Sequence, residues 1–545
     1  MDILGCLIDI FNNMISCKLI DNHIIKNLKM SCKLFDDKIN YQQITIGKDI
    51  FIFPEYIKTI KKTKELKIIH NYTINNDMIN ELTNLQILHI NYFNFVHKAR
   101  YARTITNINK LVNLKKFVYY CNAYPRINVI KNDGINNCTS IETLKISGVE
   151  GLSDINHLRG LKKLKLETDD FFLDDVGNQG IKDLTSIEEL DLDNNHSITD
   201  INHLQKLKVL HASETNVGSS CALGNDGIKD LKLLEKLYVS HNHNFTKIDS
   251  FPKLKILDIS YSEVKEIGHL PSIEKLRIIG NQYVSNINHL SNLKVLNICD
   301  NDNILNENIK DLVLVEELRL DNSINITTIN HMKNLKILSI CGNYQIDNDE
   351  LNKLINITDL NISNNKKITN IDNLINLRIL HANGTCGIDI EKLKNMKVIE
   401  KLFVRNNKNV TNINGFENLR ILNATGYSCG LSTKGIKKIK LLEKLNIYEN
   451  GKITNVDHLI NLKELNVCDE MTINNDCINN LKSIEVIYFN KKINIGEINI
   501  NGLKHLKMVH HCQYYGPDFV EIIGTTYIDI GVNIKHAYPL KISMW

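Results

Sequence analysis

No run of about 18 uninterrupted apolar residues occurs in the 545-residue chain, which excludes a membrane-spanning helix. Charge of one sign is equally scarce. With 66 basic and 62 acidic side chains the net charge is only +4, too little for a global field that draws in nucleic acid or an anionic membrane. The 13 cysteines are odd in number and run from Cys6 to Cys512 without a framework spacing. A disulfide-stapled fold is therefore excluded, and free thiols in a reducing compartment are expected. The first residues, MDILGCLIDIFNNM, hold no basic segment and no small-residue cleavage site, so the expected location is cytoplasmic. Signatures of catalysis are missing too: no Walker loop, no G-x-G-x-x-G after a strand, no H-E-x-x-H and no C-x-x-C. An enzyme and a cofactor are not expected.

What the chain does contain is a repeat. Leu290-Ser-Asn-Leu-Lys-Val-Leu-Asn-Ile298 reads L-x-x-L-x-x-L-x-I, and the frame returns at Leu158–Leu166, Met332–Ile340, Leu374–Ala382 and Leu459–Val467. Taking the third apolar residue as a marker gives a series from Leu88 through Leu190, Leu296 and Leu402 to Val509. Its 20 members have a mean period of about 22 residues. Two further steps back reach Leu66 and Ile44. Short units carry an Ile-Asn-His-Leu lead, as at Ile201–Leu204, and alternate with longer units led by Gly-Ile-Lys-Asp-Leu, as at Gly227–Leu231. The sequence grew by duplication of a two-repeat cassette of about 42 residues.

In L-x-x-L-x-L the last two apolar residues are two apart, so in an extended strand both point to one face. A single such strand cannot bury that face; stacked copies share a continuous core. The expectation is an α/β repeat solenoid with a long curved parallel sheet. A 20-residue unit has no room for a full helix on its return, so turns or a 3₁₀ piece are predicted there. One or two helical turns are predicted in the longer units, as over Gly227–Leu234. Of only six prolines, Pro252 and Pro271 share one repeat position, where they end the return without removing a ladder donor.

These residues resemble the leucine-rich-repeat superfamily over about 85% of the chain. The resemblance implies a horseshoe over residues 42–512 with a small helical N-terminal cap. The family's asparagine after the strand is present in Leu190-Asp-Leu-Asp-Asn-Asn195 and blurred in the short units. Residues 1–41 stand outside the repeat and carry helical apolar spacing. Their Ile10-Phe11, Leu28 and Cys32-Lys-Leu-Phe35 resemble a degenerate F-box, which implies a Skp-type adaptor of a cullin ubiquitin ligase as partner. Leu7, Phe11, Leu28, Cys32 and Phe35 would then contact the adaptor. A plain helical cap is the other reading of the same segment. Residues 513–545 are read as a C-terminal cap. The Asn, Ile and Lys bias is similar to that of AT-rich genomes, such as those of large DNA viruses or protists; for a virus the location becomes the host cytoplasm.

The metal candidates are His510-His-Cys512 and His241-Asn-His243, and neither supplies four ligands at a zinc spacing. No metal is expected. His157, His203, His289, His331 and His458 recur in short units about two strands apart, too far for shared coordination. A repeated hydrogen bond to the return backbone is predicted for them. Cys299, Cys341 and Cys468 follow the strand at equivalent places and need no redox role. Outward strand positions remain as the candidate surface. They are polar or aromatic in long units (Glu189, Asp191, Asp193; Glu317, Arg319, Asp321) and begin with a branched residue in short ones (Val295, Ile337, Ile379). Tyr238, Arg277, Arg319, Phe403, Arg405 and Tyr448 are the candidate contacts for a protein ligand on the concave face. A structural or surface-displayed repeat protein, for adhesion or a virion, is the alternative function.

Overall fold

The structure, a computed structural model, describes residues 43–46, 57–58, 60–71, 73–92, 105–121, 129–148, 151–167, 176–214, 221–388, 397–467, 473, 475–490, 503, 505 and 508–512. The expected F-box-like or cap segment 1–41, with Leu7, Phe11, Leu28, Cys32 and Phe35, lies outside the described residues. So do the expected cap 513–545 and Cys468.

The chain divides into two compact units, Met1–Arg277 and Ile278–Trp545. Both are parallel β-solenoids. In the first, parallel strands run from Gln43–Ile46 and Glu65–Ile69 through Glu189–Asp191 and Lys236–Tyr238 to Lys275–Arg277. In the second they run from Val295–Asn297 and Glu317–Arg319 through Asp359–Asn361 and Lys401–Phe403 to Met508–Cys512. The register pairs marker with marker, as Leu318 with Leu338 and Leu338 with Leu360. Ile44 and Leu66 take marker positions as well, paired with each other.

The marker and the residue two beyond it point inward, as the two-residue period of a strand requires. Leu318 and Leu320 are fully buried, as are Leu360 and Ile362. The preceding apolar residues come every third position, and that spacing selects tight turns over an α-helix. Leu204 N–H donates to the Ile201 carbonyl and Leu207 N–H to Leu204, both at 2.9 Å.

In the long units a single helical turn occurs, but earlier than predicted. It covers Asn225–Gly227 and ends where the Gly227–Leu234 stretch begins. Beyond it, Ile228, Leu231 and Leu234 continue the three-residue turns, with Leu231 N–H on the Ile228 carbonyl at 3.1 Å. Gly227 is needed at the junction because a Cβ there would fall on the Thr199 carbonyl of the preceding turn. Pro252 and Pro271 lie in turns outside the strands, as expected. The returns beside them do something unforeseen: Lys247–Ile248 pairs with Glu266–Ile267 as a second, two-stranded parallel sheet.

Five residues past the marker, asparagine recurs in a buried position, and in six cases, Asn242, Asn301, Asn343, Asn365, Asn407 and Asn450, its amide donates to the loop before. Asn195, Asn242, Asn281, Asn301, Asn343, Asn365, Asn407 and Asn450 all occupy this place. Asn365 Nδ2 donates to the Ile340 carbonyl at 3.3 Å, and its Oδ1 accepts from Lys367 and Ile368 N–H at 3.0 and 3.2 Å. Among the short units only Asn301 and Asn343 carry it, and Thr215, Ser262, Thr385 and Tyr427 stand at the equivalent place in others, so the asparagine is blurred there as the sequence suggested. Where it is missing, another donor serves. Ser323 Oγ donates to the Ile298 carbonyl at 2.6 Å, and the Cys221 and Cys429 thiols lie 3.5 and 3.6 Å from those of Leu192 and Val404.

The recurrent histidines bond the return backbone, as predicted. His157, His203, His331 and His458 place Nε2 3.0–3.1 Å from the carbonyls of Ile135, Ile181, Ile309 and Ile436.

Among the described thiols all but the half-buried Cys341 are sealed. Burial pushes Cys138, Cys221 and Cys299 up to about 12 and Cys386 up to about 11. A raised thiol pKa leaves almost no thiolate near neutrality, and the thiolate is the nucleophile. Native protein treated with iodoacetamide at pH 8 is expected to stay unmodified at these four residues and to react fully in urea. Peptide mass spectrometry reads the outcome. Rapid native labelling of Cys221 would contradict its position in the core.

Candidate functional site on the open face of the strands

Three rows of side chains flank each marker on the outward side. The first lies two residues before it and largely alternates in sign, because long units place glutamate there and short units lysine or arginine, with Thr358 an uncharged exception. In the first unit Lys162 meets Glu142 at 2.8 Å, Lys208 meets Glu188 at 2.7 Å and Lys255 meets Glu235 at 3.0 Å. In the second, Lys336 pairs with Glu316 at 2.6 Å, while Arg420 and Lys463 share Glu443 at 2.5 and 2.7 Å. Exposed pairs of this kind each contribute at most about 1 kcal/mol, but together they neutralise the row.

The row immediately before the marker is half-buried. In the second unit it reads Val295, Glu317, Ile337, Asp359, Ile379, Lys401, Ile421 and Lys444 across adjacent strands. Aliphatic and charged side chains thus alternate strand by strand, as the sequence register implied.

The row after the marker carries the rings. Parallel strands in register hold equivalent side chains roughly 4.8 Å apart, close enough for flat rings to stack. In the first unit His211 stacks on Tyr238 with centroids 4.4 Å apart and planes 16° from parallel. The pair is flanked by Lys165 on Asp191 at 2.9 Å and by Arg277 on Asp258 at 3.4 Å. In the second unit His381 stacks on Phe403 at 4.2 Å and 2°. Asp359 stands 4.0 Å from His381 Nε2. Burial holds the His381 imidazole below its usual range and raises the Asp359 carboxyl above its own.

Of the six candidate contacts, Tyr238 and Arg277 lie in the first unit, two strands apart. Arg319 pairs with Glu317 at 2.9 Å. Phe403 and Arg405 share one strand and its continuation, four strands from Arg319, and Tyr448 lies two strands further. The structure adds His211, His381 and Asp359, which reading strand by strand missed. Their signal is a histidine after a short-unit marker followed by a ring after the next long-unit marker.

The positions three past the marker are less free than expected. Asp321 accepts from Ser339 Oγ at 2.6 Å and Cys341 N–H at 2.7 Å, and Asp193 accepts from Ser213 N–H at 2.7 Å. These carboxylates close loops instead of meeting a partner. His241 stacks on Tyr261 at 4.6 Å, and His243 Nδ1 lies 3.4 Å from Glu263. The side chains of His510 and Cys512 lie outside the described residues. Among the described residues, no group of three His, Cys, Asp or Glu is placed to hold a metal, and no helix is long and apolar enough to cross a membrane.

No protein-family model matches the chain, and no curated protein matches it in sequence. Solved structures do resemble it. The TLR13–ssRNA13 complex is 17% identical over 87% of this chain and 84% of the other, with a TM-score of 0.51. The mouse RP105/MD-1 complex is 14% identical over 87% of each chain, with a TM-score of 0.46. A leucine-rich-repeat protein of Leptospira interrogans is 21% identical over 65% of this chain and 87% of its own, with a TM-score of 0.42. At these identities the likeness concerns the fold, and the fold is the leucine-rich-repeat solenoid.

Proposed function

We propose that this chain is a non-catalytic scaffold that captures a protein partner on the outward, concave face of its strands. The observation that carries the reading is the face of the second unit. There the His381–Phe403 stack lies among alternating Ile337, Asp359, Ile379, Lys401 and Ile421, all ordered before any partner arrives. Rings, arginines and aliphatics in such a mixture suit a protein interface. Cations on this face are paired within the chain, as Arg319 is with Glu317 and Lys165 with Asp191, which favours a protein over a phosphate backbone.

Arg319, Phe403, Arg405 and Tyr448 would contact the partner in the second unit, Tyr238 and Arg277 in the first. Affinity purification of the whole chain identifies the bound protein. Binding of that protein is then expected to weaken about tenfold or more in the Arg319→Glu, Arg405→Glu double variant, with an unchanged melting temperature. Unaltered affinity would remove this face from consideration.

Within this reading, the chain serves as substrate receptor of a cullin-type ubiquitin ligase in the cytoplasm, the host's if the source is viral. Residues 1–41 form the F-box-like module, with Leu7, Phe11, Leu28, Cys32 and Phe35 on the Skp-type adaptor. Residues 42–512 form the repeat array and 513–545 its cap. The resemblance of the first 41 residues to an F-box supports this role. The full chain is expected to retain a Skp-type adaptor in a pull-down and to lose it when residues 1–45 are deleted. Failure of the full chain to retain one would leave a scaffold without a ubiquitin link.

A further inference from the structure

A second surface of the second unit has no part in the open face. Five residues before the marker, at the N-terminal edge of the strands, the side chain projects from a turn. In the first unit this place holds one exposed aliphatic, Val112, and otherwise such residues as Thr185, Gln205 and Lys232. In the second it holds Ile355, Ile375 and Ile460, which are 53%, 69% and 60% exposed, with Lys397, Glu417 and Lys440 between them, and the next residue along adds Val398 and Leu441 at 39% each. The backbone here has a fixed duty that asks nothing of these side chains. Asn376 Nδ2 donates to the Ile355 carbonyl at 3.0 Å, as Asn461 does to Lys440 at 2.8 Å and Asn418 to Lys397 at 2.9 Å.

The charges beside this strip depart from the repeat in the same way. Two long units of the first unit read Gly-Ile-Lys-Asp-Leu, and the aspartate N–H donates to an asparagine of the preceding turn. Asp183 donates to Asn156 at 2.8 Å and Asp230 to Asn202 at 2.9 Å. At Gly435-Ile-Lys-Lys-Ile439 the same bond persists, with Lys438 N–H on Asn414 at 2.6 Å, but the side chain has changed sign. Lys434, Lys437, Lys438 and Lys440 are exposed and make no ion pair among the described residues. The fold is indifferent to what stands at these positions. Aliphatic exposure and a reversal of charge therefore coincide where folding demands neither.

We propose that the edge from Ile355 to Ile460 is a docking surface for an acidic peptide segment of a partner protein that also carries aliphatic side chains. The strip crosses five strand spacings, roughly 24 Å, a length matched by seven or eight extended residues. Its unpaired lysines call for carboxylates, and they oppose a second copy of the same edge, which would set lysine against lysine. Large exposed aliphatics rimmed by charge are the mark of such a surface.

A library of random twelve-residue peptides displayed on phage and selected on the full chain tests this. Selected peptides are expected to be rich in Asp and Glu together with Leu, Ile or Val. The best of them, made synthetically, is expected to bind about tenfold or more weakly to the Ile375→Thr, Lys438→Asp, Ile460→Gln triple variant. Each substitution installs a residue type that other repeats carry at the equivalent place, so folding is protected and a matching thermal melt verifies it. Thr185→Ala, Lys229→Ala in the first unit is expected to leave binding intact. Equal affinity for the triple variant, selection of peptides without acidic residues, or no selection would each overturn the proposal. So would binding of phosphatidylserine vesicles through these same residues in the absence of peptide binding, which would assign the edge to a lipid surface.

Discussion

Truncation of Leu338 to alanine is expected to lower the unfolding free energy by about 2–5 kcal/mol. Leu338 is 1% exposed and pairs in register with Leu318 on one side and Leu360 on the other. A cavity left there has little means of collapse. The neighbouring leucines are held by strand hydrogen bonds, and Ile340 N–H is tied to the Asn361 carbonyl at 2.8 Å. In a stack of repeats the damage is local, because each turn contacts only its neighbours. The change will show in urea melts as destabilisation of the second unit. Ile337→Ala, one residue away and half-buried on the open face, is expected to cost under about 1 kcal/mol. A loss at Leu338 below about 0.5 kcal/mol, or equal losses at both positions, would show that the side-chain register has been inverted.

The second large effect is expected at Asn365. Its amide serves two carbonyls, those of Ile340 and Asn343, and its oxygen serves the N–H groups of Lys367 and Ile368, all in a buried loop. Replacement by leucine keeps the branching and strands three backbone groups, because the Ile340 carbonyl still accepts from Asn343 N–H. At about 1–3 kcal/mol for each buried group left unpaired, and with partial recovery by water, a loss on the order of 4 kcal/mol follows. Cys429→Ala at the same kind of position is expected to cost far less, since a thiol 3.6 Å from its carbonyl is a weak donor. Comparable losses in the two variants, read from the same urea melts, would mean that packing and not hydrogen bonding fixes these loops.

Periodicity made much of this architecture readable in advance. The marker leucines, the inward partner two residues on, and the aliphatic–charged alternation of Ile337, Asp359 and Ile379 all follow from a two-residue strand period. The histidine bonds to the return backbone followed from spacing alone. Misplacement of the helical turn at Gly227 had a physical cause. A short apolar run fits both a helix and a chain of tight turns, and only the strict three-residue interval of Ile228, Leu231 and Leu234 separates them. The His211–Tyr238 and His381–Phe403 stacks escaped notice because their partners are 27 and 22 residues apart and meet only across strands. Equivalence of Cys221 with asparagine was hidden for another reason: the shared role is a donor to one carbonyl, not a shape or a charge. The exposed edge at Ile375 is not legible in the repeat frame, which assigns the residues before each marker only to the return.

The sign alternation two residues before each marker bears on how a chain of this kind can change its length. Excision of the single turn carrying Glu400 would bring Arg378 against Arg420, two cations that now flank a shared anion row. Removal of the two successive turns carrying Glu400 and Arg420 would instead set Arg378 against Glu443, an opposite pair. Parity is thus written into the electrostatics, and natural length variants should differ by even numbers of turns.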